Sequence, residues 1–141
     1  MTAANPDRVH DLLIVGAGPV GLALALALKD AGLHIVLAEA RSREAVTRDP
    51  RDLALAHGTR LTLQRLGVWD GIAARRACPY GEMHVWDGSG TGSIHFAAAS
   101  VHAETLGHIV ENRVVQDGLL QRLHDSEIGL LANARLEQMR R

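Results

Sequence analysis

Aromatic side chains are scarce: Tyr80, Phe96, Trp69 and Trp86 make up only 3% of the 141 residues. Any core must therefore be built mainly from aliphatic residues. Cysteine occurs once, as Cys78, which excludes an internal disulfide framework, a Cys-x-x-Cys redox pair and a cysteine-rich zinc site. No half of the chain carries charge of one sign. Residues 1–70 hold eight basic and eight acidic side chains, and residues 71–141 hold seven and eight. That balance argues against a nucleic-acid footprint and against an acidic tail. The eight histidines include no pair at the i, i+4 spacing of a helical metal site, and no carboxylate completes a ligand set, so no metal is expected. The longest uncharged run, Leu12 to Leu28, is seventeen residues. It falls short of the roughly 18–20 residues of a membrane span, and Gly16, Gly18, Pro19 and Gly21 interrupt it. Its flank holds Asp7, Arg8 and Asp11 rather than the basic start of a signal peptide.

What is present is ordinary for a globular domain. Apolar residues are 47% and charged residues 22% of the chain. A chain of this size typically buries roughly 68–70% of its unfolded surface, so one core is attainable and two are not. Residues 1–10 are polar, contain Pro6 and read as a flexible leader.

The apolar run Leu12-Leu13-Ile14-Val15 ends at glycine, as a strand covered on both faces does. Pro19 to Ala31 is rich in Ala and Leu with no β-branched residue after Val20, which favours an apolar helix capped by a left-handed Gly32. Ile35 to Ala38 is a second buried strand, closing a right-handed βαβ unit. Arg41 to Arg51 reads as a loop, and Asp52 to Leu66 as a helix with Leu55, Thr59, Leu63 and Leu66 on one face and Gly67 after it. Gly58 inside that helix costs about 1 kcal/mol relative to Ala and suggests that a backbone or ligand approaches there. Met83–Trp86 and Ser93–Phe96 flank Gly88-Ser89-Gly90 as a hairpin, and Asn112 to His124 has Val115, Leu119 and Leu123 at helical spacing. Ile128–Leu131 and Ala134–Met139 read as strands. Cys78 reads as a semi-buried small apolar residue, Trp69 and Trp86 as packing residues, and His108 as a packed or hydrogen-bonded strand residue.

Gly16-Ala17-Gly18-Pro19-Val20-Gly21 is a Gly-x-Gly-x-x-Gly run, weak alone but placed here between a buried strand and a helix. Gly16 permits the tight turn, Gly18 lets a pyrophosphate reach the backbone, and Gly21 lets helix and strand pack closely. The helix N-terminus, opening at Pro19 and Val20, offers unpaired N–H groups to that anion. Glu39 ends the second strand, eighteen residues after Gly21, and is placed to accept hydrogen bonds from ribose hydroxyls. Its charge disfavours a 2′-phosphate, so FAD or NAD is expected over NADP.

These motifs carry a family resemblance. GAGPVGL with Glu39, followed by Arg51-Asp52-Leu53-Ala54-Leu55-Ala56, resembles FAD-dependent aromatic monooxygenases of the para-hydroxybenzoate hydroxylase type. Leu66-Gly67-Val68-Trp69, Val85-Trp86-Asp87 and Leu106-Gly107-His108-Ile109-Val110-Glu111-Asn112 resemble the branch that hydroxylates polyprenylated phenols in ubiquinone biosynthesis. The resemblance implies an α/β, Rossmann-like FAD-binding region over 11–141, incomplete and with a small β-hairpin insertion. It implies that Arg51 lies beside the flavin and pyrophosphate, a task suited to a guanidinium fork. The same arginine could instead be a loop residue paired with Asp49 or Asp52. Asn112 matches a cofactor-contacting position and is also a good N-cap. Arg113 is expected to reach for the same phosphates, and Arg41, two residues past Glu39, to lie over the adenine, the latter against an exposed loop charge as the alternative.

FAD, NAD(P)H, O₂ and a polyprenylated phenol are the implied cofactor and substrates. No catalytic acid or base is named, because the cofactor supplies the chemistry. The family's later flavin-binding and substrate motifs have no match here, so the chain is expected to be an N-terminal portion, inactive alone. A cytoplasmic location follows, with peripheral contact at the inner membrane or with other ubiquinone-biosynthesis proteins. An NAD-dependent oxidoreductase fragment, a non-catalytic nucleotide-binding module and a catabolic aromatic hydroxylase with a small soluble substrate stay open as alternatives.

Overall fold

The computed structural model describes residues 9–46 and 48–139. The first eight residues of the expected leader lie outside them. The chain opens with β1 (Leu12–Val15), α1 (Pro19–Ala27) and β2 (Ile35–Glu39), the βαβ unit legible in the sequence. β1 pairs in parallel with β2, and β2 with β8 (Gly129–Ala132), giving the order β1-β2-β8. α5 (Asn112–His124) precedes β8 and packs against α1. Ile14, Ile35, Leu37 and Leu130 from the sheet join Leu22, Ala25, Leu26, Val115, Leu119 and Leu123 from the two helices in one aliphatic core. At about 25 cal/mol per Å² of apolar area, burial of such side chains is worth roughly 1.5–3 kcal/mol each.

Short connections fix the directions of both helices. α1 ends near the start of β2, and α5 ends four residues before β8 begins. Both therefore run back along the parallel strands, with their N-termini at the carboxyl ends of β1 and β2. Ligands of doubly wound folds bind at that end.

A second sheet, in the order β3 (Asp52–Ala56), β7 (Gly107–Glu111), β4 (Cys78–Tyr80), is antiparallel. β3 and β4 flank β7, with Leu55 opposite His108 and Asp52 opposite Glu111. Here the sequence expectation is corrected. Asp52 to Leu66 is not one helix: β3 is followed directly by α3 (His57–Arg65). Leu53 and Leu55, two apart, share the face turned to the core, and the β7 pairing prevails over the Leu55–Thr59–Leu63 helical spacing.

Other differences are local. α1 stops at Ala27, and the turn after it reaches Gly32 in the left-handed conformation expected (φ 72°). A one-turn helix, α2 (Arg43–Val46), interrupts the expected loop, with Val46 seated in the core. α4 (Trp69–Arg76) follows α3. Ala134–Met139 forms no strand, because Asn133 adopts a left-handed φ of 55° and turns the chain away from β8. Cys78 is exposed, not semi-buried. The expected hairpin forms from β5 (Glu82–Trp86) and β6 (Ser93–Ala97), with Trp86 opposite Ser93. It stands out from the core, leaving Trp86 70% exposed, whereas Trp69 is buried and meets His108 edge-on at 5.1 Å. Among the described residues, nothing beyond its own helix comes within 4 Å of a Cβ at Gly58, so no other backbone approaches it there. No described helix is long and apolar enough to cross a membrane, and no group of three or more metal-ligating side chains occurs among the described residues.

Candidate functional site

The glycine turn has the geometry its pattern requires. Gly16 adopts φ 101°, a conformation strained for any side chain, and its N–H donates to the Ala38 carbonyl at 2.8 Å. A Cβ on Gly21 would lie 2.0 Å from the Gly16 oxygen. Gly18 is the N-cap of α1, Pro19 opens the helix, and no side chain caps it. The first intrahelical bond runs from the Leu22 N–H to the Gly18 carbonyl at 3.0 Å, which leaves the Val20 and Gly21 N–H groups without an intrahelical acceptor. Val20 is 82% exposed, and a Cβ on Gly18 would meet nothing within 4 Å. The turn is an open cradle for an anion.

Glu39 ends β2 beside this turn and is 6% exposed. Its Oε2 accepts the Ala17 N–H at 2.8 Å, and its Oε1 accepts the Arg41 backbone N–H at 2.9 Å and Nε at 3.1 Å. Burial pushes the carboxyl up, but these bonds and the Arg41 charge outweigh it and hold Glu39 below its ordinary value. The carboxylate thus ties the glycine turn to the second strand before any ligand arrives. A depressed carboxyl contributes stability that is complete above the unfolded value of roughly 4.3 and is lost as pH falls through the folded value. Glu39→Gln is expected to lower stability by about 2 kcal/mol at pH 7, since its amide turns N–H toward N–H. The gap in unfolding midpoint between wild type and E39Q should narrow below about pH 4; a gap independent of pH would refute the assignment.

A second cluster forms where β3 begins and α5 starts. The Asn112 N–H donates to the Arg51 carbonyl at 2.8 Å, joining residues 61 positions apart through the β3–β7 pairing. Arg51 is held by Asp49: Nε lies 2.8 Å from Oδ1, and a terminal nitrogen 2.5 Å from Oδ2. The Arg51 hydrogen bonds, with the Asn112 amide as a minor contributor, hold the Asp49 carboxyl well below the usual range. The Arg51 side chain remains 76% exposed. The pairing with Asp49 that the sequence offered is present, and most of the arginine's surface stays open. Asn112 is 3% exposed, and its Oδ1 has no partner.

Arg113 is turned onto Glu111, which also takes Arg76 at 3.3 Å. Among the described residues no hydrogen bond joins Arg113 to Arg51, Asp49 or Asn112, so the structure does not bring it into the cluster. Sequence reasoning gave no role to Gln116, which is 1% exposed with an orphaned Oε1 and lies one helical turn beyond Asn112. Its position four residues after Asn112 was the available signal.

A family model described as FAD binding domain matches residues 10–135. The chain belongs to the FAD binding domain family. FAD is the cofactor of that family, and the uncapped turn, the open Gly18 and the exposed Arg51 fork fit a dinucleotide. Ubiquinone hydroxylase UbiL of Rhodospirillum rubrum is 34% identical over 141 residues, covering 97% of this chain and 32% of that protein. The 3-demethoxyubiquinol 3-hydroxylase of Escherichia coli is 35% identical over 121 residues, covering 83% of this chain and 31% of that protein. This FAD-binding domain thus spans about a third of the length of these relatives. Among solved structures, p-nitrophenol 4-monooxygenase PnpA from Pseudomonas putida superposes with a TM-score of 0.65 at 26% identity, over 86% of this chain and 31% of that one. PqsL, a probable FAD-dependent monooxygenase from Pseudomonas aeruginosa, gives 0.72 at 22% identity over 94% of this chain and 35% of that one, a likeness of fold.

Proposed function

We propose that this chain is the FAD-binding part of a flavoprotein monooxygenase that hydroxylates a polyprenylated phenol in ubiquinone biosynthesis. The observation that carries the reading is the union of two features in one fold: the glycine turn with Glu39, and the Arg51–Asn112 cluster at the β3–α5 junction. The first alone serves any dinucleotide. The second is not needed by a simple NAD site, and two relatives matching 97% and 83% of the chain are a ubiquinone hydroxylase and a 3-demethoxyubiquinol 3-hydroxylase.

When bound, FAD supplies the redox chemistry, taking two electrons from NAD(P)H and reacting with O₂ so that one oxygen enters the ring and the other leaves as water. The residues of this chain bind and orient. Val20 and Gly21 offer N–H groups to the pyrophosphate, with the helix dipole favouring its charge. Glu39 accepts from ribose hydroxyls while keeping its bond to Ala17, and Arg41 stands over the adenine side. Arg51 presents donors to phosphate or ring oxygens, Asn112 adds a polar contact, and Arg113 is the outermost candidate. No residue here is assigned a proton-transfer role. The greasy substrate brings the cytoplasmic protein to the inner-membrane surface.

Titrating the purified chain with FAD, NAD⁺ and NADP⁺ in separate calorimetric experiments tests this reading. FAD should bind at least about tenfold more tightly than NAD⁺, a difference of about 1.4 kcal/mol, with NADP⁺ weakest because of the Glu39 charge. Tighter binding of NAD⁺ than FAD would favour a dehydrogenase-type site and refute the proposal.

A further inference from the structure

We infer that Asp49 is a positioning residue that holds the Arg51 guanidinium edge-on, so that its far edge is presented to the cofactor. The inference rests on the FAD reading of Arg51 and goes beyond it by assigning the residue that aims the fork.

The geometry is specific. Asp49 uses the side edge of the guanidinium, Nε at 2.8 and 3.1 Å and one terminal nitrogen at 2.5 Å. It also accepts the Arg51 backbone N–H at 3.1 Å, so backbone and side chain of Arg51 share one acceptor. A guanidinium has five N–H donors in a rigid plane, and a side-edge pair leaves the end edge, with three of them, unused. That free edge faces outward: Arg51 is 76% exposed, while the Asp49 side chain is only 9% exposed. The carboxylate is the fixed partner and the guanidinium the presented one. Asn112 anchors the pair from α5 through its backbone N–H, which donates to the Arg51 carbonyl at 2.8 Å. Arg113 is paired elsewhere, on Glu111, which it shares with Arg76.

Positioning and plain electrostatics predict opposite signs, which makes the inference testable. Asp49 is an anion beside a residue that meets an anionic ligand. Removing its charge should tighten FAD binding if charge alone matters. If Asp49 positions Arg51, the loss of the fork should weaken it, because a freed arginine must be reordered on binding.

FAD dissociation constants are to be measured by flavin fluorescence for wild type, D49N, D49E, R51A and D49N/R51A, with the unfolding midpoint of each ligand-free chain as a folding control. D49N and D49E are expected to bind FAD about tenfold more weakly, and D49N to add nothing in the R51A background, the non-additivity of residues acting through one contact. D49E keeps the charge and moves the carboxylate by one methylene, so it decides the matter even if D49N folds poorly. Unchanged or tighter binding in both variants, or a D49N loss that persists in full in R51A, would overturn the inference while leaving FAD binding intact. An R51A chain that binds FAD as wild type does would remove the reading of Arg51, and the inference with it.

Discussion

Gly21→Ala is expected to destabilise the folded chain by about 3 kcal/mol, lowering the unfolding midpoint by roughly 10 °C. The added Cβ would sit 2.0 Å from the Gly16 oxygen, 3.3 Å from the Gly16 carbonyl carbon and 3.4 Å from the Ile14 Cγ2. None of these atoms has room to yield. Gly16 is already committed to φ 101° and to its bond with the Ala38 carbonyl, and Ile14 is 8% exposed in the core. The helix would have to lift from β1 instead, dragging Leu22, Ala25 and Leu26, which are 0–2% exposed. Urea or thermal denaturation of the ligand-free chain provides the measurement. A midpoint within about 2 °C of wild type, less than 1 kcal/mol at this size, would mean that the turn is not packed as described.

How much of this was legible depends on the range of the interaction that decides each element. β1, α1 and β2 are set by local matters: an unbroken apolar run, a helix-forming Ala-Leu stretch, and glycines where φ is positive. α5 was equally plain, since Val115, Leu119 and Leu123 line up and all three are buried. β3 was not plain, because Leu-Ala-Leu-Ala fits period two and the leucines continue at helical spacing into α3. Only pairing with β7, more than fifty residues away, decides between them. The expected strand over Ala134–Met139 failed on a single backbone feature, the left-handed Asn133, which composition does not betray.

The site divides in the same way. The turn at Gly16, Gly18 and Gly21 was readable because glycine's backbone duties are fixed by spacing, and Glu39 because the end of β2 sets its carboxylate beside that turn. Arg51 and Asn112 could be named from the resemblance, but their contact with each other could not, since it depends on the β3–β7 register. Asp49 was visible beside Arg51 only as a possible neutralising partner. Its 9% exposure is a fact of the folded chain. Arg113, adjacent to Asn112 in sequence, shows the converse. Neighbours on a helix point about 100° apart, and it meets Glu111 instead.

Gly18→Ala should do the reverse of Gly21→Ala: leave the fold intact and remove most of the binding. Gly18 has φ −74° and ψ 176°, an extended conformation that alanine adopts without strain. Its Cβ would meet no protein atom within 4 Å. Alanine loses less chain entropy on folding but is a poorer N-cap than glycine, so the two effects nearly offset and stability should stay within about 0.5 kcal/mol. The open space is where the proposed pyrophosphate would lie, against the uncapped N-terminus of α1. A methyl group there keeps the phosphate oxygens from closing on the Val20 and Gly21 N–H groups. Each charge-assisted bond lost is worth about 1.5–3 kcal/mol, so FAD affinity should fall about 100-fold. Calorimetric titration of Gly18→Ala beside wild type, with unfolding midpoints for both, separates the two quantities. Wild-type affinity in this variant would mean that the pyrophosphate does not lie on the glycine turn. Lost affinity with an unchanged midpoint would assign Gly18 to the ligand and Gly21 to the fold, two duties within one six-residue motif.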